Sequence, residues 1–159
     1  MKNYFIRANH AWDAGEHYQA FCLFLAGAKE GDPSSQSSLG YFYDTGIGVK
    51  RNIAKAMFWY GRACEIGRDH IGAHNLAIVH RDAGDLAKAM HFFKLAVELG
   101  DLDSLCDLAD LALRAGDYST ATKLFREFLS HDKKNVFPES RRLAKKQLKK
   151  LLELHDFDV

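Results

Sequence analysis

Histidine and cysteine are the side chains of this sequence with the most reactive chemistry, and their spacing decides whether they can use it. His70 and His74 are four apart, so a helix places both imidazoles on one face, as two zinc ligands sit. No Glu, Cys or third His follows at ligand spacing, and the helical H-E-x-x-H arrangement is absent, so no metal is expected. His80 and His91 fall on inner faces of their helices and are expected to be packed or hydrogen-bonded. Cys22, Cys64 and Cys106 are odd in number, far apart and never arranged as C-x-x-C, which argues against a disulfide framework. Cys106 has no designated base, so all three are expected to act as small buried hydrophobes. No serine sits in G-x-S-x-G. Gly46-Ile47-Gly48 joins helix to helix rather than strand to helix, so it reads as a loop and not as a phosphate cradle. Neither a catalytic residue nor a cofactor is expected, and the chain reads as non-enzymatic.

Composition sets the remaining bounds. The 159 residues are enough for one compact domain, and a 47% hydrophobic and 27% charged make-up is that of an ordinary soluble protein. The formal net charge of +1 gives no overall field towards nucleic acid or membrane. That average conceals a basic tail, net +4 over 133–159, on a body of net −3. No run of about 18 apolar residues occurs, so no spanning helix is expected. The first residues lack the long apolar stretch of a secretion signal, and the default is a cytoplasmic protein.

The elements that must position any site announce themselves by repetition. Ala20, Ala56, Ala89 and Ala121 are 36, 33 and 32 residues apart. Each is followed four residues on by an aromatic: Phe24, Tyr60, Phe93 and Phe125. Glycines recur beside them, Gly15, Gly84 and Gly116 before and Gly31, Gly67 and Gly100 after. A period of that size marks a helical solenoid. The spacing predicts helices over 3–14, 17–30, 34–44, 53–66, 70–83, 86–99, 102–115 and 118–130, and a longer one over 138–155. Pro33 and Pro138 fall at helix starts, where the missing N–H costs nothing. The glycines fall at helix ends, where a left-handed residue is wanted. Leu86, Ala89, Met90, Phe93, Ala96 and Val97 form one apolar stripe, and Ala121, Leu124, Phe125, Phe128 and Leu129 repeat it. Asp85 and Lys88 are expected on the solvated side.

One segment carries a more specific signature. Leu39-Gly40-Tyr41-Phe42-Tyr43-Asp44-Thr45-Gly46-Ile47-Gly48-Val49, followed by Lys55-Ala56, Trp59-Tyr60, Ala63 and Gly67, resembles a Sel1-like repeat. Leu76-Ala77, Gly84-Asp85, Ala89, Phe93 and Ala96 resemble a tetratricopeptide repeat, as do Leu108-Ala109, Gly116-Asp117-Tyr118, Ala121 and Phe125. Ala8, Gly15, Ala20 and Phe24 form a weaker copy. The resemblance covers residues 1 to about 132. It implies an all-α, right-handed α/α solenoid of about four helix-turn-helix repeats, whose members mostly bind proteins. No repeat holds two cysteines, which separates the chain from secreted members that staple each repeat.

In such a stack the first helix of each pair lines the concave face. The helical period then assigns candidate partner-binding positions: Phe5, Asn9 and Trp12; Ser37, Tyr41 and Asp44; His74, Ile78 and Arg81; Asp110, Leu113 and Arg114. Trp, Tyr and Arg are the residue types that dominate binding hot spots. Trp12 and Tyr41 are read as apolar anchors, with Arg81 and Arg114 meeting acidic groups. A competing reading has Phe5 and Trp12 closing the N-terminal end of the core. In the last helix Leu143, Leu148, Leu151, Leu152 and Leu154 can lie on the fourth repeat, with Arg141, Arg142, Lys145, Lys146, Lys149 and Lys150 in water, as a capping helix requires. The expectation is a single domain over 1–159, monomeric, binding one protein partner and neither nucleic acid nor membrane. The chain reads as complete at both ends, which suggests action by occupying a partner. By the resemblance, that is the role of a small bacterial immunity protein that neutralises a toxin. An adaptor bridging two proteins is the alternative.

Overall fold

A computed structural model describes residues 3–155. It contains nine α-helices and no strand among those residues: α1 Tyr4–Asp13, α2 His17–Lys29, α3 Pro33–Thr45, α4 Ile53–Gly67, α5 His70–Asp82, α6 Leu86–Glu98, α7 Ser104–Arg114, α8 Tyr118–Ser130 and α9 Pro138–His155. A short 3-10 turn, Lys133–Asn135, precedes α9 and was not signalled by the periodicity. Every helix lies within two residues of its expected span. The caps explain why. Asn3, Asp32, Asn52, Asp69, Asp85 and Asp117 each accept a hydrogen bond from the backbone N–H three residues on, supplying one of the partners that a helix N-terminus lacks. Pro33 and Pro138 are the first residues of α3 and α9, as expected.

Helices pair as α1/α2, α3/α4, α5/α6 and α7/α8, and each pair stacks on the next. The four period-setting alanines are wholly buried, and Phe24, Tyr60, Phe93 and Phe125 are buried beside them. A methyl-sized residue lets two helices approach, and the aromatic one turn on fills the gap between repeats. Burial of each ring is worth roughly 1.5–3 kcal/mol. First helices also meet directly, α1 with α3 and α3 with α5, so their side is the inner one of the stack. Beyond α8, helix α9 takes the place that the first helix of a fifth pair would hold. Its Ala144 and Leu151 join the core formed by Leu105, Ala109, Phe125 and Phe128.

Several expectations need correction. Leu86 and Met90 are exposed, so the buried stripe of α6 is narrower than the apolar pattern. Cys22 is exposed, and of the three cysteines only Cys64 is fully buried. His91 is exposed, although its ring touches Phe92, whereas His80 is buried and stacked on Phe92. Gly67 does not turn left-handed. It stays helical, its lack of a side chain making room for Pro33, and Arg68 takes the positive φ of 48° instead. Asp85 is more than a solvated charge, since it caps α6 and pairs with Lys88 at 2.8 Å. Arg141 does not face water: its guanidinium donates to the carbonyls of Leu129 and His131 and so caps the end of α8. Leu143 and Leu152 remain exposed. The side chain of Leu154 and residues 1–2 and 156–159 lie outside the described residues.

Candidate protein-binding face

Each first helix starts from a polar cap, and counting from the cap defines one inward stripe. Two, six and nine residues on, the stripe reads Phe5, Asn9, Trp12 on α1; Ser34, Ser38, Tyr41 on α3; Ile71, Asn75, Ile78 on α5. On α7, whose cap residue is Asp103, the stripe is counted instead from Asp101, which accepts from Ser104, and reads Asp103, Asp107, Asp110. The face is therefore aromatic at the N-terminal end and acidic towards the C-terminal end.

The aromatic half forms a recess of about 270 Å³ walled by Phe5, Asn9, Trp12, Ser34, Ser37, Ser38, Tyr41, Ile71 and Asn75, with Phe24 and Phe42 at its base. Trp12 stands edge-on to Phe42 at 5.4 Å and to Tyr41 at 6.1 Å, and lies against His17 at 4.9 Å. The indole is thus half core and half surface, and its two readings merge: it closes the first repeat and leaves an edge to the recess. Tyr41 is 42% exposed and Ile71 49%. These two present apolar surface to anything that enters.

The acidic half opens between α5, α7 and α9 as a cleft of about 750 Å³. Asp101, Asp103, Asp107 and Asp110 line it with His70, His74 and Arg114, and Phe137, Leu143 and Gln147 close its far side. His74 Nδ1 lies 2.9 Å from Ser104 Oγ and 3.0 Å from Asp101, and Ser104 donates to Asp101 at 2.6 Å. A serine, histidine and aspartate in contact suggest nucleophilic catalysis, but the geometry is wrong for it. The same ring nitrogen faces both partners, so no second nitrogen is placed to take the serine proton. Ser104 is also fully buried and already donates to the carboxylate. The cluster is a joint between repeats, and Asp69 makes the corresponding one, accepting from Ser37 Oγ and from the Gly72 N–H.

That joint titrates. Burial alone would lower the His74 pKa, but the hydrogen bond and charge of Asp101, helped by Asp107, outweigh it, and the net shift is upward. A pKa raised in the folded state contributes stability that is fully present below the unfolded value and is lost as pH rises through the folded value. The thermal midpoint is expected to fall between about pH 6 and pH 8, and His74→Gln is expected to flatten that slope in a calorimetric pH series. An unchanged slope in the variant would remove His74 from the account.

Of the twelve residues chosen from sequence, ten divide among three places and Arg81 and Leu113 lie outside them. Phe5, Asn9, Trp12, Ser37 and Tyr41 share the recess. His74, Asp110 and Arg114 line the acidic cleft. Asp44 and Ile78 border a separate hollow of about 260 Å³ towards α4. Arg81 lies between Asp82 at 3.0 Å and Asp107 at 3.6 Å, and Arg114 pairs with Asp110 at 2.8 Å, so both guanidiniums already have carboxylates of their own chain. Leu113 packs against the core under α8 and α9. Ile71, Asn75, Asp103 and Asp107 escaped the sequence reading, although counting from Asp69 and Asp101 finds all four.

Comparisons with known proteins agree with this architecture. The sequence model of the Sel1 repeat matches residues 33–67 and 73–101. A chitin synthase regulator of Saccharomyces cerevisiae is 40% identical over 60 residues, 38% of this chain and 8% of that protein. A putative sel1-like repeat-containing protein of Acanthamoeba polyphaga mimivirus is 30% identical over 87 residues, 55% of this chain and 16% of that one. The chain therefore spans less than a fifth of either curated relative. Among solved structures, a Sel1 repeat protein from Oxalobacter formigenes superposes with a TM-score of 0.69 at 21% identity, over 80% of this chain and 56% of that one. A protective antigen with an SLR fold from uropathogenic Escherichia coli gives 0.66 at 24% identity, over 75% and 27%. Proteins built from this repeat generally mediate protein–protein interaction and are typically not catalytic. No helix among the described residues is long and apolar enough to cross a membrane. Repeat sequence, helix pairing and superposition converge on an α/α solenoid in which residues 33–67 and 73–101 match the Sel1 repeat.

Proposed function

We propose that the chain is a non-enzymatic docking module that holds a protein partner on its first-helix face. The observation that carries this is the recess between α1, α3 and α5, where Trp12, Tyr41 and Ile71 leave apolar surface in a concavity. Large side chains in partly desolvated pockets are where interfaces concentrate their energy. A photo-crosslinking amino acid at position 41 is expected to trap a discrete partner in the native host. The same residue at position 58, on α4, tests the outer face, because Phe58 is exposed there. Trapping at 58 and not at 41 would overturn the assignment.

A bridging role has one supporting observation. Tyr18 and Phe58 on the second helices are 69% and 58% exposed, so apolar side chains are also accessible away from the recess. Capture of two different proteins, one at each position, would mark an adaptor.

A further inference from the structure

The docking surface has a chemical polarity that selects its occupant. We propose that the first-helix face takes an extended, cationic segment of the partner, with one apolar side chain in the recess beside Tyr41 and Ile71 and a Lys or Arg reaching Asp107 and Asp110. This rests on the docking function proposed above and adds the class of partner.

Four observations lead there. A recess of about 270 Å³ has the size of one large side chain and its immediate surroundings, not of a folded element. The side-chain carboxamides of Asn9 and Asn75 line it and make no hydrogen bond among the described residues. A carboxamide both donates and accepts, which matches the N–H and C=O that an extended backbone leaves open. Ile71 borders the recess and the acidic cleft alike, so a chain leaving the first enters the second. In that cleft four aspartates face one arginine, Arg114, while Arg81 at the edge is divided between Asp82 and Asp107. An acidic segment would be repelled there, and so would a phosphate backbone or an anionic membrane. A cation fits the remaining field. Burial pushes the Asp107 carboxyl above its ordinary value despite His74 and Arg81 nearby, and an arriving ammonium or guanidinium would favour its charged form.

The test is selection of displayed random peptides about twelve residues long, enough for roughly 40 Å of extended chain, on the full-length protein. Enrichment of peptides that combine an aliphatic or aromatic residue with Lys or Arg is expected. Their affinity is expected to fall about tenfold in Tyr41→Ala/Ile71→Ser and about tenfold in Asp107→Asn/Asp110→Asn, and to weaken with added salt. All four side chains are at least partly exposed, and circular dichroism checks that each variant is folded. Should the double charge variant lose helix, Asp110→Asn alone provides the comparison. Acidic or uncharged peptides that depend on Tyr41 would overturn the cationic class while leaving docking on this face intact. Peptides held equally by wild type and both variants would overturn the site, and so would enrichment no greater than on a bait-free surface.

Discussion

Gly40→Ala is expected to lower unfolding free energy by about 2 kcal/mol or more, while Gly61→Ala raises it by roughly 0.5–1 kcal/mol. Both glycines are helical, so both gain the same helix propensity on acquiring a methyl group. They differ in what the methyl meets. At Gly40 it would lie 2.5 Å from Cδ1 and Cε1 of Tyr60 and 3.0 Å from Cγ. At Gly61 nothing stands within 4 Å. The Tyr60 ring cannot retreat easily, because it is wholly buried. Behind it α5 lies directly on α4: a Cβ at Gly72 would be 2.8 Å from the Tyr60 carbonyl oxygen and 3.1 Å from the Ala63 methyl. Inserting a methyl into such packing costs about 1–3 kcal/mol and occasionally more, which exceeds the gain in propensity. Parallel denaturant titrations of the two variants decide it. Equal stabilities would mean that the α3–α4 contact adjusts freely and that Gly40 has no packing role.

That pair of glycines shows how far the sequence could be read. Gly40 and Tyr60 both belong to the motif that suggested the repeat, and the alanine–aromatic period located the cores correctly, because buried apolar residues at helical spacing have few other uses. The inward stripe was harder. On α1 the assigned positions coincide with it. On α3 and α5 Tyr41 and Ile78 lie on it, whereas Ser37 and His74 fall one residue before it, towards the neighbouring first helix, where they bond Asp69 and Ser104. Polar side chains are ordinarily exposed, yet Ser35, Gln36, Ser37 and Ser104 are buried. Ser37 and Ser104 meet the neighbouring first helix at Asp69 and His74, Ser35 and Gln36 lie against α2 at Gly27 and Ala28, and aspartates accept from Ser35, Ser37 and Ser104. A buried serine is invisible to hydropathy, and only its pairing with a carboxylate some thirty residues away, as between Ser37 and Asp69, explains it. The charge of the face is hard to read from sequence for a related reason. In sequence Arg81 and Arg114 read as cations open to a partner, whereas each lies beside a carboxylate of its own chain.

The same carboxylates set the second large effect. Asp69→Ala is expected to cost about 2–3 kcal/mol, and Asp69→Asn markedly less. Asp69 does two things at once. It caps α5 through the Gly72 N–H at 3.2 Å, and it accepts from Ser37 Oγ on α3. Losing the cap costs about 1 kcal/mol. Leaving the Ser37 hydroxyl buried without its partner adds roughly 1–3 kcal/mol, since that side chain is nearly inaccessible to water. Asparagine keeps an acceptor for both. If the two losses share one interaction, Ser37→Ala in the Asp69→Ala background costs far less than in the wild type, which a double-mutant cycle reads directly. Additive losses would refute the link. The location of the damage matters as much as its size. A solenoid is stabilised repeat by repeat through its neighbouring interfaces, so weakening this seam is expected to raise amide exchange on both sides of the α3–α5 contact before the α7–α9 end responds. The recess is built from α1, α3 and α5 across that seam, with Tyr41 on one side and Ile71 on the other. A carboxylate outside the recess therefore holds the proposed docking surface in shape, and Asp69→Ala is expected to weaken binding at the recess even in conditions where the chain remains folded.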